Sequence, residues 1–390
     1  MAINTSNVVI AINTRFLLKN KLEGIGRFTY ETVKLLVKQH PEHTFIFIFD
    51  RKYDPEFVFA KNIIPVVIPP PARHPVLWYL WFEWSIPLVL KKYKPDVFLS
   101  PDGYLSLRTR VPQIPVMHDL AFIHRPDDIG KLVRNYYNHY FPKFAKKAAR
   151  IATVSEYSKQ DIAKQYGITP EKIDAVYNGV SNKFFPLSEE QKIQVRQKTT
   201  GGKPYFVFVG ALQPRKNISN LLKAFDAFKQ TDTPNTQLVI VGRKAWQTEE
   251  MDTVFEAMKF KNDVVFTGRL SDEDLSATIA AGISMVYVAF FEGFGLPITE
   301  AFKCHVPVIT SNTSSMPEVA GDAGLLVDPF SVQSIADALQ QMASNAELRH
   351  NLTQKAIERS EVFTWEKTAT LLWQSIEQVV NNGTKTKLAN

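Results

Sequence analysis

Apolar residues gather in short runs separated by amphipathic stretches, and the runs are the length of buried strands rather than of membrane spans. In the first half, residues 8–12, 44–49, 95–100, 114–117 and 151–155 read as strands. Helical patterning runs from Gly24-Ile25-Gly26-Arg27 to Leu36, and a second helix starts near Glu156-Tyr157-Ser158. After the polar stretch 188–202 the pattern begins again, with strands at 205–209, 237–241, 264–266, 283–287 and 307–309. Strands alternating with helical segments predict parallel sheets covered on both faces. Two such sets, joined near residues 181–203, predict an α/β protein of two Rossmann-like domains. The segment after Phe363-Thr364-Trp365 reads as a last helix, and residues 381–390 as a frayed tail.

Length supports the division, because 390 residues exceed one ordinary core and fit two domains of roughly 150–200 residues each. With 45% hydrophobic and 22% charged residues the chain is globular. Its single cysteine, Cys304, excludes an intrachain disulfide and a Cys-rich zinc site, and points to a reducing, cytoplasmic setting. The start, residues 1–7, lacks a basic region followed by an apolar core, so no secretory signal is expected.

Charge is unevenly placed. Residues 1–185 hold 26 basic and 16 acidic side chains, whereas residues 186–390 hold 20 and 23. A basic first half suits anionic lipid headgroups, hence peripheral contact at the inner membrane, or a phosphate-linked acceptor. Nucleic acid is not expected, since no binding motif accompanies the charge. The aromatic segment 75–92 contains Glu83, Ser85 and Pro87 and falls short of the roughly 20 apolar residues of a spanning helix. It reads as a buried helix plugging the first domain, with an aromatic surface dipping into headgroups as the alternative.

The densest chemistry lies at Phe291-Glu292-Gly293-Phe294-Gly295-Leu296-Pro297-Ile298-Thr299-Glu300, two carboxylates bracketing a Gly-rich turn between an apolar run and a helix start. Open α/β sheets bind ligands at such strand ends. Gly293 and Gly295 allow close backbone approach to anionic oxygens, Glu300 is expected in the helix's first turn, and a carboxylate accepts hydrogen bonds from vicinal hydroxyls. This motif resembles the paired-glutamate signature of retaining, nucleotide-sugar-dependent glycosyltransferases of the GT-B fold, glycosyltransferase family 4. The resemblance covers nearly the whole chain. It implies two Rossmann-like domains facing a cleft: residues 1–185 binding the acceptor, with a helix at about 365–385 packing back on them, and residues 186–364 binding the nucleotide sugar.

Gly210-Ala-Leu-Gln-Pro-Arg215-Lys216 follows the first strand of the second half and matches the family's Arg-Lys donor phosphate motif. Fixed cations there stabilise charge on the leaving diphosphate, so neither a metal nor a cofactor is expected. Met117-His118-Asp119-Leu120 resembles the family's His-Asp cleft motif, which implies substrate contact for His118 and orientation or acceptor binding for Asp119. The family's Gly-rich loop beside donor phosphate and acceptor corresponds to Gly26 and Arg27. Arg243 stands where the family meets the nucleotide base, and Glu292, Gly293, Phe294, Gly295, Leu296 and Glu300 stand in its donor turn. The motifs together resemble bacterial mannosyltransferases of surface-polysaccharide assembly. GDP-mannose is then the first donor, with UDP-linked sugars next, and a glycan or lipid-linked molecule the acceptor. A sugar-nucleotide epimerase of similar shape and a non-catalytic nucleotide-sugar or glycan-binding module are the competing readings.

Overall fold

The computed structural model describes residues 7–22, 24–231, 235–243 and 249–388. The chain divides into two compact units, Met1–Gly179 with Trp365–Asn390, and Val180–Thr364. The division falls before the expected 185/186, because Val180 already donates its N–H to the Phe363 carbonyl at 3.2 Å, pairing the start of the second unit with its end. The expected starting residues 1–6 lie outside the described residues.

The first unit is built on β1 (Val9–Asn13), β2 (Thr44–Phe49), β3 (Ile63–Val67), β4 (Val97–Ser100) and β5 (Gln113–Pro115), in the order β3-β2-β1-β4-β5 and all parallel. A parallel pair, β6 (Ile151–Thr153) and β7 (Ile173–Ala175), continues beyond β5 through a bridge between Val116 and Ala152. Helices cover both faces, so β1, β2 and β4 are almost wholly buried and read as unbroken apolar runs. Sequence patterning missed β3, whose Pro65 is tolerated because β3 is an edge strand. The helix Trp365–Leu388 belongs to this unit: Trp373 stacks on His40 with ring centres 3.5 Å apart, and Trp365 meets Phe28. It continues to Leu388, through most of the expected frayed tail.

The aromatic segment is the expected buried plug on one face only. The helix Pro75–Leu80, a π turn Trp81–Ser85 and the helix Ile86–Tyr93 run in series. Trp81 and Phe82 are buried, the indole donating to the Ile68 carbonyl at 2.9 Å, and Glu83 accepts from the Leu107 N–H at 2.9 Å. Burial raises the Glu83 pKa. The opposite face is apolar yet exposed, with Val76, Leu80, Trp84 and Leu88 at intervals of four residues. Among the described residues no helix is long and apolar enough to cross a membrane.

The second unit holds β8 (Tyr205–Val209), β9 (Gln237–Val241), β10 (Val264–Gly268), β11 (Ser284–Tyr287), β12 (Val308–Ser311) and β13 (Gly324–Val327). Their order, β10-β9-β8-β11-β12-β13, is all parallel and reverses direction between β8 and β11. The polar stretch expected to be a connection is the helix Glu189–Thr200. Ser188 and Gln191 form a reciprocal cap at its start, which stabilises a helix whose exposed polar faces carry no apolar periodicity.

Candidate active site

The order reversal between β8 and β11 is where an open α/β sheet leaves a crevice at its strand ends. Two loops meet there. Past β8, Gly210 donates its N–H to the Val241 carbonyl at 2.9 Å, and a single turn of 3-10 helix, Pro214–Lys216, presents Arg215 and Lys216. Asn217 ends that turn in the left-handed region that Asn tolerates. Its buried amide donates to the carbonyls of Val288 at 2.9 Å and Pro329 at 2.7 Å, and Phe290 donates its N–H to the Arg215 carbonyl at 2.9 Å. The Arg-Lys turn is therefore bonded directly to the loop that follows β11.

On that loop Glu292 is 7% exposed and pairs with both Arg215 and Lys216, while Lys216 also donates to the Tyr287 hydroxyl. Burial pushes the Glu292 carboxyl pKa up, but the Arg215 and Lys216 charges outweigh it, and the net shift is down. Tyr287, the last residue of β11, is fully buried. Its pKa is raised well above the ordinary phenol value, first by burial and then by the charges of Glu292 and Glu300. Both motif carboxylates thus lie within electrostatic reach of one hydroxyl. Sequence reading singled out Arg215, Lys216 and Glu292 separately, but neither their mutual pairing nor Tyr287.

Side-chain hydroxyls at the end of β12 and just past it hold the backbone of the Glu292 loop. Ser315 donates to the Glu292 carbonyl at 2.9 Å, the Glu292 N–H donates to Ser314 at 3.2 Å, and Ser311 donates to the Ala289 carbonyl at 2.6 Å. The turn closes at Gly295, whose φ of 95° favours glycine, and the helix Leu296–Lys303 begins at the next residue. Glu300 is thereby placed in the second helical turn rather than the first, because the helix starts at Leu296. Gly293 is buried, and the Phe294 ring is buried edge-on against Phe363, so that side chain serves packing. Arg243 follows β9 and is exposed, its carbonyl accepting from the Leu212 N–H at 3.0 Å; Lys244, next in that motif, lies outside the described residues. The sequence Asp272-Glu273-Asp274 opens a helix capped by Ser271, with Asp272 paired to Lys183 and Asp274 to Lys198, and serves as N-terminal helix charge.

In the first unit, His118 follows β5 and its Nε2–H donates to the Pro101 carbonyl at 2.8 Å. The ring meets Phe28 edge-on at 5.0 Å. Burial lowers its pKa, against the opposing pull of the Pro101 carbonyl and Asp119. A neutral ring bonded this way keeps its Nδ1 lone pair as an acceptor. Asp119 accepts the Ala121 N–H at 2.9 Å and so orders the short helix Ala121–His124. Gly26 lies in the first turn of the helix Ile25–Gln39, where a Cβ would sit 2.9 Å from the Phe16 carbonyl, and Arg27 pairs with Glu31 on the same helix. One feature escaped sequence reading: at the β1/β4 reversal Arg15 is buried with Asp102, over the Tyr104 ring at 4.4 Å. Burial opposes the Arg15 charge, but Asp102 beside it raises the pKa well above the ordinary value.

Two doubly wound parallel sheets, one with a cation pair on a buried carboxylate at its reversal point, define a two-unit α/β protein. Residues 22–184 match the family model described as Glycosyltransferase Family 4, and residues 189–359 match Glycosyl transferases group 1. The chain is 30% identical to O-antigen chain mannosyltransferase B of Escherichia coli, over 90% of this chain and 95% of that one. It is 27% identical to the O-antigen chain mannosyltransferase RfbU of Salmonella typhimurium, over 73% and 76%. Its fold is similar to that of Anabaena HepE in complex with UDP-glucose, with a TM-score of 0.71 at 16% identity, covering 96% of this chain and 100% of that one. The chain belongs to the group 1 glycosyltransferases of family 4, on the GT-B fold, and is a hexosyltransferase.

Proposed function

We propose that this enzyme transfers mannose from a nucleoside diphosphate donor, GDP-mannose first, to a lipid-linked glycan of surface-polysaccharide assembly, with retention at the anomeric carbon. The observation that carries the reading is the Arg215, Lys216 and Glu292 cluster at the β8/β11 reversal; resemblance to O-antigen mannosyltransferases supports the choice of sugar. Arg215 and Lys216 hold the diphosphate and stabilise the charge that grows on it as the glycosidic bond breaks. Backbone N–H groups of Gly293 to Leu296 meet the sugar and phosphate, Glu300 takes the ribose hydroxyls, and Arg243 approaches the base. Glu292 serves the transferred sugar, Gly210 lets the diphosphate lie close to the Arg-Lys turn, and Gly26 and Arg27 serve the acceptor side. His118, neutral because its pKa is depressed, accepts a hydrogen bond from a substrate hydroxyl at Nδ1. The leaving phosphate itself assists deprotonation of the acceptor, so no protein nucleophile is assigned.

The acceptor's lipid fits the exposed stripe of Val76, Leu80, Trp84 and Leu88, beside Lys91, Lys92 and Arg108, the last stacked 3.9 Å over the Trp84 ring. Apolar side chains with a basic fringe suit an anionic bilayer surface, and the proposed location is the cytoplasmic face of the inner membrane. The donor is tested by incubating the enzyme with a panel of nucleotide sugars and measuring released nucleotide by mass spectrometry. GDP from GDP-mannose is expected above all others; preferential release of UDP would replace the donor, and interconversion of sugars without nucleotide release would mark an epimerase.

Transfer is proposed to need no metal, since the cation pair occupies the position from which the leaving charge is stabilised. One His/Glu group, His40, Glu42 and His43, has donor atoms within 4.8 Å of one another. His43 Nδ1 accepts the Val8 N–H at 3.2 Å, however, so the neutral ring keeps its proton on Nε2, the nitrogen a metal would need. Turnover is expected to be unchanged in EDTA; loss restored by magnesium or manganese would overturn this.

A further inference from the structure

The carboxyl edge of the first unit's sheet carries an arginine past each of three adjacent strands: Arg15 after β1, Arg51 after β2 and Arg73 after β3. They are connected through one residue, Ala72. Asp50 accepts the Ala72 N–H at 2.8 Å and also Arg51 Nη2 at 2.6 Å, while the Ala72 carbonyl accepts Arg15 Nη1 at 3.0 Å and the Trp78 indole at 3.0 Å. The backbone of Arg73, the next residue, follows directly from the residue so gripped. Arg15 is matched by Asp102 and Arg51 by Asp50, but among the described residues Arg73 makes no hydrogen bond or ion pair with its side chain. Its pKa is lowered by partial burial and then by the charges of Arg51 and Arg15, with Asp50 only partly offsetting them. A surface guanidinium ordinarily relieves such repulsion by turning toward water or a carboxylate. Arg73 is exposed, yet it stands among like charges at the carboxyl edge of a sheet, the edge at which open sheets bind ligands.

We propose that Arg73, with Arg51 beside it, forms a subsite for the oxyanions of a phosphate or diphosphate ester carried by the acceptor. The guanidinium fork matches two phosphate oxygens at once, and a bound anion relieves the repulsion among the cations. The helix bearing the exposed Val76 begins two residues after Arg73, so the subsite lies at the entry to the apolar stripe. The inference rests on the reading of the acceptor as lipid-linked and is independent of the donor cluster in the second unit.

Its test is calorimetric titration of inorganic pyrophosphate into the full-length protein saturated with nucleoside diphosphate, which occupies the donor site. Arg73→Gln is expected to weaken pyrophosphate binding roughly tenfold or more. Arg110→Gln, which removes an exposed arginine elsewhere in the same unit, should leave it as in the parent. A second arm measures sedimentation with phosphatidylcholine vesicles with and without phosphatidic acid. An effect of Arg73→Gln confined to the phosphatidic acid vesicles identifies a lipid headgroup as the source, and an effect on pyrophosphate identifies the linking phosphate. Unchanged binding by Arg73→Gln in both arms overturns the subsite. Nucleoside diphosphate affinity, measured alone in each variant, reports on the donor reading separately: its absence from the parent protein would sink that reading, and its loss only in Arg73→Gln would sink this one.

Discussion

Replacing Arg215 and Lys216 together with Ala is expected to remove measurable binding of nucleoside diphosphate. Each cation offers charge-assisted hydrogen bonds of about 1.5–3 kcal/mol, so losing both lowers affinity by roughly two to four orders of magnitude. The double variant has a second consequence, because both side chains pair with the buried Glu292. Removing both cationic partners of a buried carboxylate costs about 3–5 kcal/mol, and the variant is expected to melt earlier than the parent. Adding Glu292→Gln takes away the stranded carboxylate and should restore much of the melting temperature without restoring nucleotide affinity. Calorimetry on the double and triple variants separates the effects: a well-folded triple variant that binds nucleoside diphosphate like the parent would remove this cluster from the donor site.

Much of this architecture is legible from local pattern. The strands at 205–209 and 237–241 are unbroken apolar runs because both faces are buried, and burial of that kind writes itself into consecutive residues. Strands β3, β7 and β13 do not show, since they are short or partly exposed and one contains proline. The helix Glu189–Thr200 hides in a polar stretch, where only Ser188 and Gln191, three residues apart, signal its start. The glutamates and the Arg-Lys pair are visible as residue types at strand ends, but their relations are tertiary. Glu292 meets Arg215 across 77 residues, and its backbone is held by Ser314 and Ser315 from the far side of β12. Nothing in the polar run Ser311-Asn312-Thr313-Ser314-Ser315 distinguishes it from an ordinary loop. The same holds for Arg15 and Asp102, which are unremarkable in sequence and become a buried pair only when β1 and β4 lie side by side.

The two glutamates are expected to respond oppositely to the loss of charge. Glu292 neutralises part of the Arg215 and Lys216 charge, so a diphosphate arriving at those cations shares them with the carboxylate or displaces it. Glu292→Gln should therefore bind nucleoside diphosphate at least as tightly as the parent, yet transfer sugar roughly a hundredfold more slowly. A carboxylate that stabilises positive charge developing on the sugar contributes in the transition state rather than in the ground state. The variant should also change acid stability. The depressed pKa of Glu292 means that its contribution is complete above the ordinary carboxylate pKa and is lost as pH falls through the depressed value, so Glu292→Gln should flatten that part of the unfolding curve. Glu300, in the second turn of its helix, has the ribose as its assigned ligand, and Glu300→Gln should weaken nucleotide binding roughly tenfold, replacing charged acceptors with a neutral one. Nucleoside diphosphate affinity and turnover for each variant decide the matter. If Glu292→Gln loses nucleotide as severely as Glu300→Gln does, the two carboxylates act on one ligand group, and the division between sugar and ribose is wrong.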